Sequence, residues 1–435
     1  MVKTPLIKRR NAKNIILCLI CGLALLHGTV SGGNSTAGKK ERSCRTLRTM
    51  ARIYMAYGDY AKAQPLAEQA LTFARTKNVS DAELCSCLID LAYLYKEQGR
   101  FEEAEKMCKQ GLKLLEKVYY EEHPYVAQTL RILSDIYQGQ GKYRQAKPVL
   151  DSAMAIMLKS HLPDDRALAG FHVDTAKLLA AQGYLAEAES CYHQALTLIN
   201  NSYGPNHLYT AGVLGGIARL YTLQGRYLQA KDLINRTLVA QEKVYGPKHH
   251  LLAPTWLTQA KICQAEKNYP KAEMLLEKTL TAVEKNHGAE HPLTGRILSS
   301  LAEVYIVDGK YTEAEALCRR AVKVLESSLG TDNDCTAIAL NNLARLYIHK
   351  GKYSDARTLC RSALNTLENI FDQNHLTVAD VLETMAQSHN KAGNTAAAAK
   401  LQQRAERIRA SKQVARGSIA KGPLTQKITL LAEQN

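Results

Sequence analysis

The sequence predicts an all-α protein in which pairs of helices stack into a solenoid, and three observations support this prediction. The stretch GKYTEAEALCRRAVKVLESSLG, which begins at Gly309, returns 42 residues later as GKYSDARTLCRSALNTLENIFD. Turns of this kind recur nine times, at steps of 41 or 42 residues. Apolar and small residues repeat at helical spacing on both sides of each turn. The turns lie at Gly58, Gly99, Gly141, Gly183, Gly225, Lys267, Gly309, Gly351 and Gly393.

Each repeat is predicted to contain two helices, which the turn separates. Before the turn, apolar or small residues stand at positions −11, −8, −7 and −4, as in Leu340, Leu343, Ala344 and Tyr347. After the turn a second stripe follows, and all nine copies carry Ala at position +5. Glycine suits the turn because it accepts a left-handed backbone without a Cβ clash. One helix pair cannot bury both of its faces, so neighbouring pairs are expected to stack.

Two copies depart from this pattern. Lys267 stands where the other copies have glycine, and NYP follows it, which predicts a turn that is built differently. The last copy carries Thr395 and His389 in place of aromatic residues. Such a change is expected of a terminal repeat whose outer face contacts water.

The segment LNNLARLYIHKGKYSDARTLCRSAL, residues 340–364, resembles the tetratricopeptide repeat. The 42-residue period and the links YGPNH and YGPKH, at 203–207 and 245–249, resemble the long repeat of kinesin light chains. HEAT and armadillo arrays lack this signature of Ala, Gly and Tyr. The resemblance implies a right-handed superhelical solenoid of about nine helix pairs, which holds other proteins or extended peptides in a concave groove. It does not imply a kinesin light chain, because no long heptad region precedes the repeats.

Residues 1–33 have the pattern of a signal peptide. The basic stretch KRRNAKN, at 8–14, precedes the apolar stretch IILCLICGLALL, at 15–26, and small residues follow. Because this apolar stretch is short for a membrane span, we expect a cleaved signal and export to the periplasm or the extracellular space. An uncleaved anchor with the repeats outside is the alternative. Residues 34–44 are predicted to be a polar linker, 45–411 the repeat array and 412–435 a basic tail.

The net charge of +16 belongs to the two ends of the chain. Residues 1–48 contain ten basic residues and one acidic residue, and residues 400–435 contain eight basic and two acidic residues. Between them, 39 basic residues face 38 acidic ones. A body that is nearly neutral has no overall field to hold nucleic acid. The chain has no GxxxxGK[ST] motif and no recognisable pair of nucleophile and base, so we expect neither an enzyme nor a cofactor.

Histidines and cysteines were the remaining candidates for chemistry. Histidines recur at position +24, and we expect them in the loops that start helices rather than in a metal site, because ligands a repeat apart do not converge on one ion; they are His123, His207, His249, His291 and His375. Removal of the signal leaves nine cysteines, an odd number that argues against a disulfide scaffold. Cys108, Cys318 and Cys360 share position +9, and adjacent helices are too far apart to bridge them. The cysteines are expected to be reduced core residues.

Positions −9 and −6 of the first helix point away from the core stripe and are predicted to line the groove. Position −6 carries a row of cations, namely Lys177, Arg219, Lys261 and, after Glu303, Arg345. Position −9 is mostly small or polar, as in Asp174, Thr258, Ser300 and Asn342. The row predicts binding of an extended acidic segment. One alternative is a solvated face that local acids neutralise; another is an array that supplies specificity to an enzyme or a secretion complex.

Overall fold

The computed structural model describes residues 36–77, 79–120, 122–159 and 165–419. Within these ranges the chain forms eighteen α-helices and no strand, which confirms the predicted all-α superhelical solenoid. The signal or anchor predicted at 1–33 and residues 420–435 of the basic tail lie outside the described residues. Among the described helices, none combines the length and the apolar character that a membrane crossing requires.

The helices alternate between the first and the second helix of nine repeats. The first helices, numbered α1, α3, α5 and onward to α17, are Thr36–Ala56, Asp81–Glu97, Pro124–Gly139, Asp165–Ala181, Leu208–Leu223, Ala253–Ala265, Pro292–Val307, Asp334–His349 and Leu376–Lys391. The second helices, α2 to α18, are Tyr60–Thr76, Phe101–Val118, Tyr143–Lys159, Leu185–Tyr203, Tyr227–Tyr245, Tyr269–His287, Tyr311–Leu329, Tyr353–Ile370 and Thr395–Ile419. A 3₁₀ turn at His250–Leu252 precedes α11.

Small residues let the two helices of a repeat approach closely. The Ala at +5 is fully buried in eight repeats, and in the last one Ala398 is 8% exposed. Position −7 is Ala in every repeat but the third, where Ser134 replaces it. The Ser134 hydroxyl donates to the Ala146 carbonyl at 2.9 Å, so this buried polar group is satisfied. The alanine pattern of the sequence is therefore the helix-to-helix contact of each repeat.

The turn at Lys267 has the same backbone as the others. The eight turn glycines have φ between 70° and 83°, and Lys267 has φ 60°. The prediction that this turn is built differently was wrong, since the lysine adopts the left-handed conformation itself. Asn268 then caps α12 by accepting from the Lys271 amide at 3.3 Å.

The helical part of the chain extends past both predicted edges of the array. Helix α1 begins at Thr36, inside the segment predicted as a polar linker, and α18 ends at Ile419 rather than near 411. Further along α1, the charged residue Arg48 is only 3% exposed and pairs with Glu83 and Asp90 of α3. Hydropathy does not reveal a helix that buries paired charges.

The first helices line the concave side of the array. Neighbouring first helices contact one another along most of the array, while each second helix except the last packs between two first helices. The first helices therefore lie closer together and form the inner wall. Positions −6 and −9 lie on these helices, which brings the predicted groove residues to one surface.

Successive turns of the superhelix touch every five repeats. The end of the first helix in repeats two, three and four meets the start of the first helix in repeats seven, eight and nine. In each case a side chain at the later helix start lies against a backbone carbonyl: His291 with Glu97 at 3.1 Å, Asn333 with Gly139 at 3.4 Å and His375 with Ala181 at 2.9 Å. In repeat one, Tyr60 packs on His287, with ring centroids 5.3 Å apart. The array is thus wound closely enough for its turns to stack.

Candidate peptide-binding groove

The row of cations at position −6 divides into paired and unpaired members. The Lys177 ammonium lies 2.9 Å from Asp174, and the Arg345 guanidinium lies 3.0 Å from Glu303. In these two places the local acids do neutralise the row. Arg219 and Lys261, between them, are exposed and form no ion pair with any described residue.

Arg296 joins the two unpaired cations, and the sequence analysis missed it. It lies in α13, is exposed, and has no ion pair among the described residues. Although the Lys261 side chain reaches the surface of the groove, the surrounding protein partly desolvates its ammonium and lowers its pKa; the positive charges of Arg296 and Arg219 lower the pKa further, and the negative charge of Glu303 opposes them. These three side chains therefore share one electrostatic environment. Arg296 stands at position −13, two helical turns from position −6, and the row at −6 alone gave no signal for it.

The groove on the N-terminal side of these cations is neutralised by a network of ion pairs. The Lys96 ammonium lies 2.6 Å from Asp135, and Arg131 lies 3.4 Å from Asp174. Although burial opposes ionisation, Lys96 and Lys177 hold the pKa of Asp135 at about 2. This carboxylate is consequently charged and engaged at neutral pH.

The residues predicted at position −9 are largely occupied within the fold. The Thr258 hydroxyl donates to the Pro254 carbonyl at 2.9 Å, and the Ser300 hydroxyl donates to the Arg296 carbonyl at 3.1 Å. The buried Asn342 amide donates to the Ser299 hydroxyl at 3.0 Å. Thr258 and Ser300 bond within their own helices, and only the Asn342 bond joins two first helices. The exposed charges at the centre of the groove are the groups that can meet a ligand.

The histidines at +24 begin helices, as the sequence analysis expected. Each Nδ1 accepts the backbone N–H two residues onward, at 3.1 to 3.3 Å, in the turns that start at His123, His207, His249, His291 and His375. A nitrogen that accepts such a bond carries no proton. In the part of the chain that the structure describes, no group of three or more His, Cys, Asp or Glu could hold a metal ion.

A cleft of about 1060 Å³ lies outside the groove, between two turns of the superhelix. Its walls come from the turns of repeats two and three and from the ends of α14 and α16. Charges of both signs line it, among them Arg144 and Glu326. This cleft carries charges of both signs, whereas the unpaired side chains at the centre of the groove are all positive. We therefore place the candidate site at Arg219, Lys261 and Arg296, which we call the cation cluster.

The tetratricopeptide repeat profile matches residues 83–159, 172–243, 209–285, 251–306, 293–369 and 336–411. Together these ranges cover well over half of the chain. The chain belongs to the tetratricopeptide repeat family. Tetratricopeptide repeat arrays are typically scaffolds for protein–protein interaction, and the fold is generally non-catalytic. A comparison with curated proteins found no match.

Several solved tetratricopeptide repeat structures are similar to this chain. A Rap protein complexed with competence and sporulation factor is 13% identical, with a TM-score of 0.62 over 86% of this chain and 99% of that one. A putative kinesin light chain from Podosopora anserina, with nearly identical TPR-like repeats, is 22% identical, with a TM-score of 0.37 over 48% and 98%. A tetratricopeptide repeat protein from Parabacteroides merdae is 17% identical, with a TM-score of 0.40 over 70% and 99%. At these identities the likeness concerns the fold alone.

Proposed function

We propose that this tetratricopeptide repeat protein is a non-catalytic scaffold that holds an extended acidic segment of a partner protein in its concave groove. The cation cluster receives carboxylates of that segment. The observation that carries the proposal is the distribution of ion pairs, since Lys177 and Arg345 are paired with acids and the three cations between them form no ion pair among the described residues. Carboxylates would form charge-assisted hydrogen bonds there without first displacing an internal partner.

The curvature of the array supports an extended ligand. The first helices present a continuous inner wall, so a peptide that follows it meets successive repeats at helix-to-helix spacing of about 10 Å. The Rap protein that shares this fold was crystallised in complex with competence and sporulation factor. A fold of this kind is therefore compatible with a bound partner.

The location of the scaffold forms part of the proposal. The signal pattern at 1–33 favours export to the cell envelope, where the array would hold partners outside the inner membrane. Intact-mass measurement on fractionated cells tests this. A mature start between about Gly28 and Ser35 supports cleavage, and a full-length membrane species supports the anchor instead. A full-length cytoplasmic species contradicts export.

A peptide-display selection tests the ligand class. Random 12-residue peptides are selected on the wild-type array and on the variant R219Q/K261Q/R296Q. The matched control, R236Q/K243Q/K248Q, removes the same number of charges from exposed positions on α10 and the link that follows it.

The wild type and the control are expected to enrich peptides rich in Asp and Glu, and the groove variant to lose this enrichment. Peptides selected on the wild type should bind the groove variant at least about tenfold more weakly, which corresponds to a loss of about 1.4 kcal/mol in binding free energy. Enrichment without acidic residues, or equal enrichment on the groove variant, contradicts the proposal.

A further inference from the structure

Two buried thiols face each other across the first two repeats. Cys44 lies in α1 and Cys87 in α3, and their side chains are 0% and 1% exposed. The two Sγ atoms are 3.5 Å apart. The repeat pattern gives no signal for this pair, because the two cysteines do not share one position: Cys44 stands 14 residues before its turn and Cys87 stands 12 before its own.

The neighbouring cysteines point elsewhere. Cys85 is two residues from Cys87, and its thiol donates to the Gly111 carbonyl of α4 at 3.2 Å. The Cys108 thiol donates to the Thr129 carbonyl at 3.5 Å. Among the described residues, no other two thiols lie within hydrogen-bonding distance of each other. The geometry therefore selects one pair out of nine cysteines.

We propose that Cys44 and Cys87 are a disulfide site that ties the first repeat to the second. A disulfide has an S–S distance of about 2.05 Å, so the two sulfur atoms must approach by about 1.5 Å. Because both thiols are buried in the closed array, the exchange requires local opening of the first repeat. The Cys44 thiolate then attacks a disulfide of an exchange partner, either oxidised glutathione or a protein disulfide, and releases one thiol. The Cys87 thiolate then attacks the Cys44 sulfur of the mixed disulfide and releases the second thiol. The two cysteines lose two protons and two electrons, which reduce the partner disulfide to two thiols.

The contact between the two thiols decides which cysteine reacts first. The hydrogen bond from Cys87 lowers the pKa of the Cys44 thiol, although burial and the negative charges of Glu83 and Asp90 oppose this and offset the effect of Arg48. The same hydrogen bond, together with burial, raises the pKa of Cys87. Arg48 itself is held by Glu83 at 2.7 Å and Asp90 at 2.8 Å. The same ion pairs fix α1 against α3, so they bring Cys87 back to the Cys44 sulfur when the repeat closes. The thiolate is the attacking species, so the cysteine with the lowered pKa reacts first.

A bond at this place acts at the end of the described array. Among the described residues the first repeat is followed, but not preceded, by another repeat, and its contact with a further superhelical turn runs through Tyr60 and His287. Terminal repeats of a solenoid generally open before the inner ones. The bond would close a segment of 43 residues and so restrict the unfolded chain. Disulfides persist in exported proteins, and the signal pattern predicts that compartment.

Peptide mapping of the full-length chain tests the site. The reduced, denatured protein is refolded in a glutathione buffer of oxidising poise, free thiols are alkylated, and the protein is digested with trypsin. Cleavage after Arg42, Arg45, Lys77 and Lys96 isolates SCR, residues 43–45, and the peptide 78–96, which holds both Cys85 and Cys87. Cys85→Ala and Cys87→Ala then separate the two possible partners.

In the wild type and in Cys85→Ala, we expect SCR joined to peptide 78–96, with loss of 2 Da relative to the two free thiols. In Cys87→Ala we expect SCR to be alkylated and unlinked. The oxidised wild type should also melt at a higher temperature than the reduced wild type, a difference that Cys87→Ala lacks. Wild-type protein that yields only alkylated peptides, or a link that survives in Cys87→Ala, overturns the proposal. Should Cys87→Ala fail to fold, the wild type and Cys85→Ala still decide the question.

Discussion

At the scale of single residues, the most informative position is the turn between the two helices of a repeat. Glycine occupies it eight times out of nine, and each time its φ is positive. Lys267 is the one described non-glycine residue with positive φ. A side chain in this conformation costs about 1–2 kcal/mol through the contact of Cβ with the neighbouring carbonyl. The sixth repeat therefore carries local strain that the others avoid.

Replacement of Lys267 by glycine is expected to stabilise the array. Glycine relieves the left-handed strain, but it also raises the conformational entropy of the unfolded chain, which offsets part of this gain. We expect a net increase of about 1 kcal/mol in the free energy of unfolding. Thermal or chemical denaturation measures it. The matched control is Gly309→Ala, where φ is +77° and a Cβ meets no atom within 4 Å. It should destabilise by a similar amount, and a Lys267→Gly protein that melts below the wild type contradicts the idea.

At the scale of secondary-structure elements, the residue that precedes the first helix of a repeat both caps that helix and contacts the neighbouring superhelical turn. His291 uses Nδ1 to cap α13 and Nε2–H to donate to the carbonyl of Glu97, one superhelical turn away. Asn333 performs both tasks in repeat eight, since its Oδ1 accepts from the Cys335 amide at 2.9 Å and its Nδ2 donates to the Gly139 carbonyl. An asparagine amide can thus replace a neutral imidazole here, which explains why position +24 is Asn in that copy.

The contributions of the helix cap and of the contact between turns to stability can be measured separately. His207 caps α9 in the same manner, and no contact of its ring with a distant turn is among the described interactions. His207→Ala should cost about 1 kcal/mol, the usual value of a helix cap. His291→Ala should cost about 1 kcal/mol more, because the hydrogen bond between turns is also lost. His291→Asn should restore most of the difference, and equal losses for both alanine variants would show that the contact between turns contributes nothing.

At the scale of the whole molecule, the contact between turns contains neutral histidines. His250 and His287 lie 3.0 Å apart, Nδ1 to Nε2, next to Tyr60 of repeat one. Burial lowers the pKa of both to about 4, with repulsion from the neighbouring imidazoles adding to the shift. Burial also lowers the pKa of His291, although the Glu97 carbonyl opposes this. The turns are thus held together by imidazoles that must remain uncharged.

The array is expected to loosen in mild acid. The folded state binds fewer protons than the unfolded state between pH 6.5, the usual pKa of histidine, and about pH 4. Stability is therefore complete above pH 6.5, falls as the pH drops towards 4, and changes little through these groups below that value. Melting curves and small-angle scattering across this range should show a lower Tm and a larger radius.

A pair of variants separates this effect from general acid sensitivity. His287→Gln should flatten the dependence on pH, since it removes one of the buried histidines whose pKa is lowered at this contact. His193→Gln should leave it unchanged, because His193 is exposed and lies beside Glu189 on α8, away from the contact between turns. A Tm that is the same at pH 7.5 and pH 4.5 in the wild type is incompatible with the prediction.

The sequence by itself determined the repeat, the two helices of each copy and the residues that pack between them. This was possible because each of these features depends on neighbours within one repeat or the next, and the residues that make these contacts recur in nine copies. The row at −6 was also visible, since equivalent positions of neighbouring first helices share one face.

Only the tertiary structure decided which cations of that row are free and which thiols meet. The pairing of Arg345 with Glu303 and the contact of Cys44 with Cys87 depend on distances between side chains that no single repeat contains. The contacts between superhelical turns are even less predictable from the sequence pattern. They depend on the small rotation from one repeat to the next, summed over five repeats, and a slight change in that rotation would separate His291 from Glu97. The periodic pattern within each repeat does not specify the total rotation over five repeats. The contact between successive superhelical turns is therefore a property of the whole array.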